Sequence, residues 1–158
     1  ELEDGNMLVQ SLAIVEWLEE THPEPELLPA DALGRARVRA LSHMIALEIH
    51  PLNNLRVLAY IRENHGQDED GVKAWFHHWV HETFAPLEIM LASSPDTGVF
   101  CHGDTPTMAD CCLFAQMWNN KRFAVDTSPY PTIERIFNAL QAEDAFLKAA
   151  PANQPDAI

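Results

Sequence analysis

The sequence predicts a mainly α protein, a bundle of helices with a β-hairpin attached at its front. Three observations carry that expectation. From Ser11 onward the apolar residues recur three and four positions apart, the period of a helix. Strand-like sequence is confined to Leu2–Val9. Prolines and cap-type residues punctuate the periodic segments at intervals suited to short connections. At 158 residues the chain has the size of one domain and buries a core without staples.

Leu2–Val9 reads as the hairpin, because Asp4-Gly5-Asn6 supplies residues that tolerate positive φ in a tight turn. Two short strands are not stable alone in water and need a sheet to join. Leu12, Ile14, Val15 and Leu18 then mark the apolar side of a short helix whose polar side carries Glu16, Glu19 and Glu20. It ends before a stretch with Pro23, Pro25 and Pro29, which remove amide donors and favour an extended linker. Asp31 caps the next helix, through Val38, Leu41, Ile45 and Ile49. Pro51 disfavours helical geometry at His50 and breaks it there. The pattern resumes through Leu52, Val57, Leu58 and Ile61, with Gly66 as the terminating residue.

A longer helix follows from Val72 to Leu91, with Pro86 inside it. Thr107-Met108-Ala109-Asp110 resembles a capping box that launches an almost wholly apolar, central helix through Trp118. Two shorter helices are predicted, one entered at Pro131 and one over Asp144–Ala149.

Lys and Arg number 10 against 24 Asp and Glu, a net charge of −14 that repels phosphate backbones and anionic lipid. Nucleic-acid and membrane partners are therefore not expected. With 47% apolar and 22% charged residues, the chain is globular and not disordered. No apolar run reaches the roughly 18–20 residues that span a bilayer. Three cysteines without metal-ligand spacing argue against a disulfide framework or a zinc site, and a reducing cytoplasm is expected. The chain opens at Glu1-Leu2-Glu3 without an initiator Met, so a preceding segment is expected.

Several residues are candidates for chemistry. Gln10-Ser11 stands where strand hands over to helix, and the amides there, with the Ser11 hydroxyl, suit a carboxylate; Ser11 as a plain N-cap is the alternative. From Arg35 to Arg62 there are five arginines (35, 37, 39, 56 and 62) against one acid, Glu48. This strip suits a small anion, or else forms a solvated face paired with acidic neighbours. Glu48, His50, Asn54 and Arg56 surround the Pro51 break, where freed backbone groups and polar side chains are able to face a cleft. His77, His78 and His81 include a metal-compatible spacing but lack a third ligand, and no metal is expected. Cys111-Cys112 sits in the most apolar helix, where thiols act as small hydrophobes. No nucleophile-plus-base pair, Gly-rich phosphate loop or carboxylate pair is present.

These residues carry a family resemblance. Asp4-Gly5, with Leu8 through Glu20, resembles the last hairpin and third helix of a glutathione transferase's thioredoxin-like domain. Ile49-His50-Pro51-Leu52-Asn53-Asn54-Leu55-Arg56-Val57-Leu58 is far narrower. With Gly103–Asp110, Arg122-Phe123, Val125-Asp126, Ser128–Ile133 and Asn153–Asp156, it resembles the zeta class, which holds the maleylacetoacetate and maleylpyruvate isomerases.

The resemblance implies residues 1–22 as the end of the thioredoxin-like glutathione-binding domain, 23–30 as linker and 31–158 as the all-helical substrate domain. It implies glutathione as cofactor, with Gln10 and Ser11 on its γ-glutamyl end and His50 and Asn54 lining the cleft. Arg56 and Arg122 would face the carboxylates of a small dianionic oxo acid. Glu48, where relatives often carry Asp, would reach glutathione across a homodimer interface. The implied activity is a cis–trans isomerisation in tyrosine and aromatic-compound catabolism, the thiolate adding to the cis double bond and leaving after rotation. The thiolate-activating Ser or Cys would precede Glu1, so these residues alone are expected to be inactive. Two alternatives stay open: a zeta-like transferase that consumes glutathione on α-halo acids or other electrophiles, and a non-catalytic module of the same fold.

Overall fold

Seven α-helices and one short 3-10 turn form the regular structure of residues 2–155, the residues described by the computed structural model. Glu1 and Asp156, the last residue of one motif quoted above, lie outside the described residues.

Helix α1 (Ser11–Thr21) follows Gln10, and His22 closes it by donating to the Leu18 carbonyl at 2.7 Å. The linker then runs to Asp31, whose carboxylate accepts from the Leu33 and Gly34 amides and starts α2 (Ala32–Glu48). Asn54 caps α3 (Leu55–Asn64) through the Arg56 amide. Gly66, at φ 63°, ends that segment as expected for a left-handed terminator. Asp68 caps α4 (Glu69–Ser93), which continues through Pro86. The predicted capping box opens α5 (Met108–Arg122). Pro131 begins α6 (Pro131–Leu140), and α7 (Asp144–Ala149) occupies the predicted span.

The core forms where α5 packs between α2 and α6, with α4 against α2, α3 and α6. Val38, Leu41 and Ile45 from α2 meet Met108, Leu113 and Met117 from α5 in one buried cluster with Phe76, Phe84 and Leu87 of α4. The linker joins this body: Leu28 is buried, and the Leu27 carbonyl accepts from the Met108 amide at 2.9 Å.

Several expectations change. The hairpin's turn exists, with Gly5 at φ 84° and bonds between Leu2 and Asn6, but no strand is present among the described residues. Val9 remains 68% exposed, which follows from the absence of neighbouring strands to complete a ladder. Leu52 lies in the connection before α3 and not in a helix. Glu19, assigned to the polar side of α1, is buried, while Leu18 is exposed. The Glu19 carboxylate accepts from the Leu27 amide at 2.8 Å and lies 3.7 Å from Arg35, so bonding outweighs hydropathy there. Helix α5 is central but not uniformly apolar, since it buries Asp110, Gln116 and Asn120.

Candidate active site

The connection between α2 and α3 is shaped by Pro51, which cannot donate to a helical ladder. The Ile49 and His50 amides both reach back to the Ile45 carbonyl at 3.2 Å, and the Asn53 amide bonds the Ile49 carbonyl at 3.0 Å. Helix α4 holds the turn from outside: Trp75 Nε1 donates to the Leu52 carbonyl at 3.0 Å, and Asn53 Nδ2 donates to the Phe76 carbonyl at 3.1 Å.

This turn forms one wall of a cleft of about 340 Å³, completed by Phe76 of α4, by Gln116, Asn119 and Arg122 of α5, and by Phe123. His50 Nε2 and Asn53 Oδ1 are buried with no hydrogen-bond partner among the described residues. Buried polar atoms in that state are rare, and ordered water or the polar atoms of a bound molecule would satisfy them. Burial holds the His50 imidazole below its ordinary pKa, opposed by the Gln116 side chain, so the ring is neutral near pH 7 and offers one donor and one acceptor. Gln116 is itself buried and anchored, its Nε2 donating to Asn120 Oδ1 at 2.7 Å. Arg122, the last residue of α5, is exposed at this cleft and makes no ion pair among the described residues.

The structure therefore brings His50, Asn54 and Arg122 to one cleft. Arg56 is exposed in the first turn of α3 and Glu48 is exposed at the end of α2; neither lines it. Gln10 and Ser11 stand at the start of α1, where Gln10 adopts φ 73° and no side chain caps the helix. Ser11 is thus the first helical residue and not the N-cap, and its hydroxyl and the neighbouring amides stay available to a carboxylate. Asn53, Gln116 and Asn119 escaped the sequence reading. For Gln116 and Asn119 the signal was polar residues three apart in a mostly apolar helix; Asn53, in the α2–α3 connection, carried no such signal.

Most of the basic strip has structural work. Arg39 forms a bidentate pair with Glu16 at 2.6 and 2.8 Å, which holds the Glu16 carboxyl below its usual pKa. Arg35 faces Glu19, and Arg62 binds Glu69. Arg37 donates to the Cys101 carbonyl and to Thr97 Oγ1. Of the five, the salt-bridged and anchored reading holds for four, leaving Arg56.

His77 Nε2 lies 2.8 Å from the Phe123 carbonyl and His81 Nδ1 2.7 Å from the Tyr130 hydroxyl, and no metal-binding cluster of three such residues exists among the described residues. Burial raises the Cys111 thiol to about 12 and the Cys112 thiol to about 11, which keeps both protonated. A larger groove of about 700 Å³ runs between the linker and α7, lined by Pro25, Leu27, Pro106 and Phe146; none of the predicted site residues lines it.

Known proteins fit this geometry. No family model matches the chain. Maleylpyruvate isomerase of Ralstonia sp. is 50% identical over 152 residues, covering 96% of this chain and 72% of the relative. The holo structure of a maleylpyruvate isomerase, described as a bacterial zeta-class glutathione S-transferase, superposes with a TM-score of 0.97 at 47% identity, over 100% of this chain and 74% of that one. Maleylacetoacetate isomerase of Methylobacterium extorquens AM1, solved with malonate and glutathione bound, superposes with a TM-score of 0.94 at 37% identity, over 99% and 74%. With half its residues shared along nearly its whole length and a backbone that follows theirs throughout, the chain belongs to the zeta-class glutathione transferase family of maleylpyruvate and maleylacetoacetate isomerases.

Proposed function

We propose that this chain provides the substrate-binding bundle and part of the glutathione site of an isomerase that converts maleylpyruvate or maleylacetoacetate to its fumaryl isomer. The observation that carries the reading is the cleft, which Arg122, with no ion pair among the described residues, lines together with His50 and Asn53, whose Nε2 and Oδ1 are buried without a partner among those residues, in a protein of charge −14. A cation and unsatisfied polar groups lining one cleft suit a small anion with further polar atoms. A relative at 37% identity binds malonate, a dicarboxylate, together with glutathione.

Glutathione fits the residues present: the uncapped start of α1 offers amides and the Ser11 hydroxyl to a carboxylate. When bound, it supplies a thiol that adds reversibly to the substrate's double bond. Arg122 holds one substrate carboxylate; the role of Arg56 at the other rests on the family resemblance, since it is exposed outside the cleft lining and has no ion pair among the described residues. His50 and Asn54 line the space beside the tripeptide, and neutral His50 donates one N–H toward negative charge developing on the substrate. Residues 1–22, 23–30 and 31–158 divide as glutathione-binding segment, linker and substrate domain. The enzyme acts in the cytoplasm as a homodimer, in which Glu48 reaches the partner's glutathione.

The test is turnover of both substrates by the full-length protein with catalytic glutathione. Fumaryl product at constant free thiol is expected; stoichiometric thiol loss would instead identify a transferase. Arg122→Ala should lower kcat/KM by about tenfold or more, the worth of one charged hydrogen bond. Unchanged kinetics in that variant refutes the assignment of Arg122.

A further inference from the structure

We propose that His77 is a positioning residue that aims Arg122 through a strained turn at the end of α5. The inference rests on the reading of Arg122 as a carboxylate-binding group. Helix α5 stops at Arg122, and the chain reverses through Phe123, Ala124 and Val125. The Ala124 amide bonds the Lys121 carbonyl at 3.2 Å and the Val125 amide bonds the Asn120 carbonyl at 2.9 Å, the paired closure of a Schellman motif. Such a motif places its left-handed position where Ala124 stands, at φ 53°, and glycine is the residue that adopts this without strain. A non-glycine residue holds that conformation only when its surroundings over-determine it.

Two contacts from α4 do so. His77 Nε2 lies 2.8 Å from the Phe123 carbonyl, and since a carbonyl only accepts, Nε2 carries the proton. The Phe123 ring stacks on Phe76, with centroids 3.9 Å apart and planes 10° from parallel. One turn further along α4, His81 Nδ1 meets the Tyr130 hydroxyl at 2.7 Å, where α6 is about to begin. The two histidines thus clasp both ends of the connection between α5 and α6, and their bonded nitrogens are committed to protein partners. Arg122 directly precedes Phe123, and both side chains line the cleft. A long exposed side chain on the final residue of a helix takes its aim from the last turn of backbone. Removing His77 orphans the Phe123 carbonyl and frees Ala124 to relax toward negative φ, which unwinds that turn and swings Arg122 away.

The experiment is steady-state isomerisation by the full-length protein carrying His77→Ala, His77→Gln, Arg122→Ala and the His77→Ala/Arg122→Ala pair. His77→Ala should raise KM for the dicarboxylate by up to about tenfold, no more than loss of the Arg122 charged hydrogen bond itself, with KM for glutathione unchanged. His77→Gln keeps an N–H donor and should restore most of the affinity. The double variant should be no worse than Arg122→Ala, because His77 acts only through that residue. His77→Asn, too short to reach the carbonyl, gives the same reading should the alanine variant not fold. Normal dicarboxylate KM in folded His77→Ala or His77→Asn, beside an impaired Arg122→Ala, overturns the proposal; so does full additivity in the double variant. A silent Arg122→Ala instead overturns the site reading on which it depends.

Discussion

Asp110 is the buried acid of the α5 capping box, and its loss should unfold the protein at far lower denaturant. The carboxylate is fully buried. One oxygen accepts from the Cys101 amide at 2.9 Å, and the other from the Thr107 amide at 2.8 Å and the Thr107 hydroxyl at 2.7 Å. It therefore ties the start of α5 to the loop before it, and Arg37 grips the same loop through the Cys101 carbonyl at 2.7 Å. Asp110→Ala strands three buried donors, each costing about 1–3 kcal/mol. Relaxation and the removal of a buried charge return part of that, which leaves a loss of about 4 kcal/mol. With an m-value of about 2 kcal/mol/M in urea, the unfolding midpoint should fall by about 2 M. Far-UV circular dichroism against urea is the assay, with Asp110→Asn as control, since one acceptor oxygen survives and the loss should be smaller. A midpoint displaced by less than about 0.5 M at unchanged slope would show that these bonds are replaced by water, and the account of the box would be wrong.

Ala124→Gly relieves left-handed strain of about 1–2 kcal/mol and adds about 0.5–1 kcal/mol of unfolded-chain entropy. The variant should melt about 2 °C higher, and a lower Tm would contradict the strain. His50 has a folded pKa below its ordinary 6.5, so the native state binds fewer protons than the unfolded chain once pH drops under that value. Stability should therefore decline as pH falls through about 6.5 toward the folded pKa, and His50→Gln should remove that part of the decline. Urea midpoints at several pH values check this, and parallel curves for both proteins would refute it.

Most of the helices were legible because their boundaries have local chemistry. Asp31, Gly66, the Thr107–Asp110 box and Pro131 act on groups within a few residues of themselves, so a single sequence suffices to place them. The hairpin fails that condition: Asp4-Gly5-Asn6 makes its turn, but a ladder requires strands from elsewhere. Glu19 shows the same limit from inside a helix. Hydropathy placed it outward, yet its partners are the Leu27 amide, beyond Pro23 and Pro25, and Arg35 on the next helix.

The site divides along the same line. The Pro51 break was visible, and so was an excess of arginine, but counting charge does not reveal which guanidinium is already occupied. Arg39 and Glu16 are 23 residues apart in sequence, and Arg37 and Cys101 are 64 apart, so only the folded chain shows these arginines committed. What distinguishes Arg122 is a combination that no spacing rule encodes. It ends the central helix, lacks an acidic partner among the described residues, and borders the cleft in which His50 Nε2 and Asn53 Oδ1 are left unsatisfied. Those two atoms are costly to bury unpaired. On the proposed reading, retaining them beside Arg122 gives up stability at the place where a polar, anionic substrate would restore it.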